Sequence, residues 1–159
     1  MLHIDGDMIA YRIACAIGDE GEETAVGWTT NSFMAKNILQ HFDELTPYHV
    51  HLSGKTNFRY DVAVTAPYKG NRDDKPRPVH LAAARQHLID VWGATVSVGC
   101  EADDTIAIAA TADGGTVVSL DKDFDQLTNP IFNFTTFKTR QATQLDATKT
   151  LYKQFLTGD

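Results

Sequence analysis

Apolar and polar positions first alternate and then change period. Leu2-His3-Ile4 reads as a short strand ending at Asp5-Gly6-Asp7, and Met8, Ile9, Ile13 and Ile17 follow at the spacing of one helical face. A polar loop spans Gly18 to Glu23. Asn31 or Ser32 is placed to cap a helix carrying Phe33, Met34, Ile38, Leu39 and Phe42, which Pro47 ends. Tyr48 to Leu52 predicts a second strand. Periodicity then fails from Ser53 to Pro78, where three prolines, two glycines and much of the basic charge predict a long functional excursion over the surface. Val79 to Trp92 predicts a helix closed by Gly93, Ala94 to Val98 a strand, and Glu101 onward a helix with Ile106, Ala109 and Ala110 facing inward. Gly114-Gly115 and a strand from Thr116 to Leu120 complete the pattern. Strands alternating with helices predict an α/β fold: a mainly parallel twisted sheet with helices on both faces.

At 159 residues the chain fits one domain with a continuous core, read as a single unit over 1–159. Its net charge of -7 is unevenly spread. Lys55 to Arg85 holds seven Lys or Arg against three Asp or Glu, leaving seven against eighteen elsewhere. This polarity suits a polyanion on the basic part and metal ions on the acidic part. Two cysteines, Cys15 and Cys100, without a CxxC pair, predict buried thiols and a reducing cytoplasm. The histidines form no HExxH or HxxxH pair, which argues against zinc. No apolar run approaches the roughly 20 residues a bilayer requires, so no membrane partner is expected.

The chemistry concentrates in two acidic runs. Glu101-Ala102-Asp103-Asp104 opens a helix, and Ser119-Leu120-Asp121-Lys122-Asp123 follows about one helix and one strand later. Two carboxylates at roughly 4 Å repel by about 4 kcal/mol at an effective dielectric near 20, so a converging group is tolerable only if a divalent cation or protonation offsets the charge. Oxygen-only ligands favour magnesium or manganese. In parallel α/β sheets ligands gather outside the carboxyl ends of the strands, where Asp5 and Asp121 both stand on this reading. Glu101 and Asp104 share one helical face at a helix start that favours negative charge. Asp7 reads more readily as a helix cap than as a ligand. Asp125 reads as a surface residue, and Trp28, Trp92 and the phenylalanines read as core.

Taken in order, Ile4-Asp5-Gly6, Phe58-Arg59, Tyr68-Lys69-Gly70-Asn71-Arg72, Lys75-Pro76, Glu101-Ala102-Asp103-Asp104, Ser119-Leu120-Asp121-Lys122-Asp123 and Gly158-Asp159 resemble the 5′ nuclease family. That family includes flap endonucleases, the 5′ nuclease domain of bacterial DNA polymerase I and phage 5′-3′ exonucleases, and the phage members are the nearest in the YKGNR stretch. The resemblance implies a PIN-like fold and two magnesium or manganese ions held by Asp5, Glu101, Asp103, Asp104, Asp121, Asp123 and Asp159. It implies that Lys69 and Arg72, on an arch over the site, contact the phosphate at the cut. Tyr68 would stack on an unpaired terminal base, and Arg59 and Lys75 would add backbone contacts. The implied substrate is DNA with 5′ ends or flaps, or an RNA-DNA hybrid, in a bacterial or phage-infected cytoplasm.

Two departures stand out. Many members carry an aspartate after the second strand, where Leu52-Ser53-Gly54-Lys55 offers none. Gly158-Asp159 resembles the opening of the family's GDxxD element, so a further aspartate and the duplex-gripping helix-turn-helix are expected to be absent or supplied by another polypeptide. The alternative expectation is a catalytically weak or inactive nucleic-acid-binding module. A haloacid-dehalogenase-like phosphatase reading of Asp5-Gly6-Asp7 leaves YKGNR and EADD unexplained. A PIN-type ribonuclease would share fold and metals without needing the long basic excursion.

Overall fold

All four residues of the first strand, β1 (Leu2–Asp5), are buried, and it lies inside the sheet. A computed structural model describes residues 1–62 and 76–157. Tyr68, Lys69, Arg72, Lys75 and Asp159 lie outside the described residues. β1 pairs in parallel with β2 (Tyr48–Leu52) on one side and β4 (Thr116–Val118) on the other, with Ile4 facing both Val50 and Val118. β3 (Thr95–Val96) extends the sheet beyond β2, β5 (Ile131–Asn133) beyond β4, and β6 (Lys138–Arg140) closes that side antiparallel to β5. The six-stranded order is β3-β2-β1-β4-β5-β6. The expected α/β sheet is therefore present, mostly parallel with one antiparallel edge. Chain order reverses between β1 and β4, and such a reversal opens a crevice at the strands' carboxyl ends.

The helices divide between two faces. α1 (Gly6–Ile17), α2 (Ala25–Phe33) and α4 (Leu81–Trp92) cover the larger core, where Ile9, Ile13, Val26, Ala84 and Leu88 pack with Ile4, Val50 and Val118. α5 (Ala102–Asp113) covers a smaller one, where Ile106 and Ala110 meet Val117, Phe124 and Ile131. Val117 and Val118 enter different cores because successive strand residues point to opposite faces. Gly93 and Gly114 end α4 and α5 with φ of 64° and 69°, the left-handed caps glycine supplies at least cost.

Several expectations need correction. Asn31 and Ser32 open no helix: α2 runs through them into a wider turn at Met34–Ile38 and a 3-10 turn at Leu39–His41. Their polarity is spent elsewhere, Asn31 Oδ1 accepting from Trp92 Nε1 at 2.8 Å. Cys15 is exposed and Cys100 half-buried, and Trp28 is 75% exposed rather than core. α3 (Arg59–Val62) is a single turn at the edge of the basic excursion. Past Leu120 the chain continues as β5, β6 and α6 (Gln144–Thr157). No helix among the described residues is long and apolar enough to cross a membrane.

Beneath α5 the sheet is partly polar. His3 Nδ1 lies 3.2 Å from His51 Nε2, His3 Nε2 lies 3.1 Å from the Asp113 carboxylate, and His51 Nδ1 lies 3.3 Å from Thr105 Oγ1. Burial, with the neighbouring His49 and His3, pushes His51 down to about 4 from 6.5. The folded chain thus refuses a proton that the unfolded chain accepts. Stability from this group is complete above pH 6.5 and is lost as pH falls toward 4, on the order of 2 kcal/mol. His51→Gln is expected to flatten the decline of unfolding free energy between about pH 7 and about pH 4.5, measured by denaturant melts. Parallel slopes for variant and parent would refute this.

Candidate active site

Asp5 is both the last residue of β1 and the cap of α1. Its extended backbone, with φ -74° and ψ 92°, turns the carboxylate back over the helix start, where Oδ1 accepts from the Met8 amide at 3.0 Å. Oδ2 accepts from Ser119 Oγ at 2.8 Å, and Ser119 Oγ accepts from the Asp121 amide at 3.0 Å. One buried hydroxyl therefore joins the two acidic motifs across the crevice. Burial raises Asp5 above the ordinary carboxylate range; the Met8 and Ser119 hydrogen bonds oppose that rise, and the charge of Asp121 reinforces it.

The second acidic run is fixed from its far side. Asp121 Oδ1 accepts from the Asp123 amide at 2.9 Å, which opens the 3-10 turn Asp123–Gln126. Arg140 on β6 donates through Nε to Asp125 at 2.6 Å and through its terminal nitrogen to the Asp121 carbonyl at 2.8 Å. Asp125 is thus the anchor for the arginine that holds this turn, not a bystander. Asp123 accepts from Gln154 of α6 at 2.8 Å.

The start of α5 stands at the end of β2. Glu101 caps the helix and forms a reciprocal capping box with Asp104, whose Oδ2 accepts from the Glu101 amide at 3.1 Å. Asp103 lies in the same first turn. The Arg59 guanidinium grips Asp104 with both terminal nitrogens, at 2.6 and 2.8 Å. Ser53, which stands where a carboxylate was expected, works as a junction. Its amide donates to Asp7 at 2.8 Å and its hydroxyl accepts from the Ala102 amide at 2.8 Å. Its carbonyl accepts from Arg85, which also pairs with Asp7. Asp7 therefore does not cap α1; it ties α1, β2 and α4 together.

The carboxyl edge of the sheet thus gathers Asp5, Asp121 and the start of α5 around the reversal in strand order. Asp5 and Asp121 are joined through Ser119, and Glu101 is joined to Asp104. Among the described residues no three Asp, Glu, His or Cys side chains are grouped to hold a metal ion as they stand. The donor chemistry nevertheless fits a hard divalent cation, because the acidic side chains at this edge offer carboxylate oxygen and Asp5 among them is buried beside the charge of Asp121. Sequence reasoning missed Ser119, Arg140, Arg85 and Gln154, which hold the acidic residues in place. Of these only Ser119 stood inside a recognised motif.

A mostly parallel sheet with acidic side chains at its switch point defines an α/β protein of the resolvase-like class. The family model for the 5′-3′ exonuclease N-terminal, resolvase-like domain matches residues 1–155, and the chain belongs to this nuclease family, whose substrates are nucleic acids. No curated protein matches it.

Proposed function

We propose that the protein is a divalent-metal-dependent 5′ nuclease that hydrolyses phosphodiester bonds at DNA 5′ ends or flaps. The observation that carries this reading is the buried Asp5 carboxylate, bridged to Asp121 by Ser119 and pushed toward protonation by burial and by Asp121. Among the described residues no positive charge offsets this carboxylate, and a divalent cation would supply it. Asp5 and Asp121 would hold the ions, with Glu101, Asp103, Asp104, Asp123 and Asp159 completing the set. Two bound magnesium or manganese ions would offset charge on the phosphoryl oxygens and lower the pKa of the attacking water. The chain's own part is geometric: Ser119 sets the spacing of Asp5 and Asp121, and Arg140 keeps Asp121 and Asp123 on one turn. The capping box fixes the Glu101 and Asp104 carboxylates at the start of α5. Lys69 and Arg72 would grip the phosphate at the cut, Tyr68 the terminal base, and Arg59 and Lys75 the flanking backbone.

Cleavage of 5′-labelled duplex and flap DNA, titrated with magnesium alongside a separate binding assay, tests this reading. Cleavage should require magnesium or manganese and vanish with chelator. In Asp121→Ala it should fall at least about a hundredfold while DNA binding persists. A second reading, a nucleic-acid-binding module without turnover, draws on the engagement of Asp104 by Arg59 and of Asp123 by Gln154. Binding without cleavage at every metal concentration would establish it instead.

A further inference from the structure

We infer that Arg59 is a built-in counterion that Asp104 gives up when a divalent cation binds, so that metal loading turns this arginine from the protein's own carboxylate to the substrate's phosphate. The inference rests on the metal reading of Asp104 given above. Its basis is the two-pronged contact itself, with Arg59 and Asp104 side chains 31% and 25% exposed, sheltered but reachable by solvent. Among the described residues, the guanidinium and the Glu101 amide both donate to the two Asp104 oxygens. A cation approaching those oxygens therefore competes with Arg59 for the same lone pairs.

Arg59 has a backbone anchored apart from its guanidinium. Its backbone is fixed independently, the Arg59 amide donating to Asn57 Oδ1 at 3.0 Å and the Phe58 amide to the Gly99 carbonyl at 3.0 Å. Its guanidinium carbon lies 4.8 Å from the centroid of the Phe58 ring, which is 49% exposed. That ring face steadies the cation after release from Asp104. Position in the sequence adds the final element: α3, which Arg59 opens, immediately precedes the stretch of the chain richest in Lys and Arg.

The inference is tested with the full chain by manganese titration in 0.15 M salt, free ion being followed by electron paramagnetic resonance. Arg59→Leu should bind manganese roughly three- to tenfold more tightly than the parent, because a half-buried ion pair no longer competes. Asp104→Asn added to Arg59→Leu should remove that gain. Equal or weaker binding by Arg59→Leu overturns the inference while leaving the metal reading intact, and so does a gain that survives Asp104→Asn. Absence of binding by every variant overturns the metal reading and this inference with it. If Arg59→Leu melts below the assay temperature, Arg59→Gln gives the same comparison with a polar stem. A second arm measures affinity for a 5′-phosphorylated oligonucleotide. The parent should exceed Arg59→Leu with calcium present and match it with chelator; an advantage equal in both conditions overturns the coupling.

Discussion

Replacing Asp5 by asparagine is expected to lower DNA cleavage by about 10³-fold and yet make the protein harder to unfold. The two effects share one cause. Burial raises Asp5, and the charge of Asp121 adds to it, so the folded state prefers this carboxyl neutral. A group whose pKa is raised on folding contributes fully to stability below its unfolded value of 3.8 and loses that contribution as pH rises through the folded value. Ionisation of Asp5 as pH rises through that raised value therefore weakens the fold. Asparagine keeps the cap, since its amide oxygen still accepts from the Met8 amide, and its NH₂ faces a Ser119 hydroxyl that can accept. What it removes is the charge on which the proposed divalent-cation site depends. Thermal melts should show Asp5→Asn a few degrees above the parent at pH 7, with the advantage gone in acid near the unfolded value. A lower melting temperature at pH 7 would show that the carboxylate, not the neutral form, suits the fold.

Gly6→Ala is expected to cost about 3 kcal/mol of stability and to remove most soluble protein. A Cβ at position 6 would lie 2.6 Å from the His51 carbonyl oxygen and 2.9 Å from both Leu52 Cδ2 and Val50 Cγ1. The oxygen belongs to β2, and His51 is the register partner of Asp5, so relief requires moving a paired strand. A flexible side chain could yield, but this backbone oxygen has no such freedom. Denaturant midpoints of parent and variant measure the effect. A loss below about 1 kcal/mol would mean that the sheet opens here more easily than its packing indicates.

Gly6 illustrates what the sequence made legible and what it withheld. Alternation in Leu2-His3-Ile4, followed by Asp5-Gly6, located a strand end and an acidic residue there without any coordinates. The same rule placed the strand before Asp121 and the helix opening at Glu101. Lateral neighbourhood could not be read, because β1 and β4 are adjacent only through the strand order, and the hydrogen bond from Ser119 to Asp5 spans 114 positions. Arg140 escaped for a related reason. β5 and β6 are three residues each, too short to show a period, and only their antiparallel pairing returns Arg140 to the Asp121 turn. The continuous helix through Asn31 and Ser32 shows local preference overridden, with Met34 and Ile38 beyond it fully buried. Ser53 was recognised as a missing carboxylate, whereas its three hydrogen bonds depend on α1, α4 and α5 arriving from separate parts of the chain.

The place of β1 between β2 and β4 also governs the order in which a ribosome can release this molecule in finished form. β1 finds β2 as soon as Leu52 has been made, but its other flank stays open until Thr116–Val118 emerges. Until then a half-built sheet presents a bare row of amides and carbonyls along β1. Asp5 meanwhile lacks its partner hydroxyl, so the acidic centre closes only once the chain has been made through Ser119.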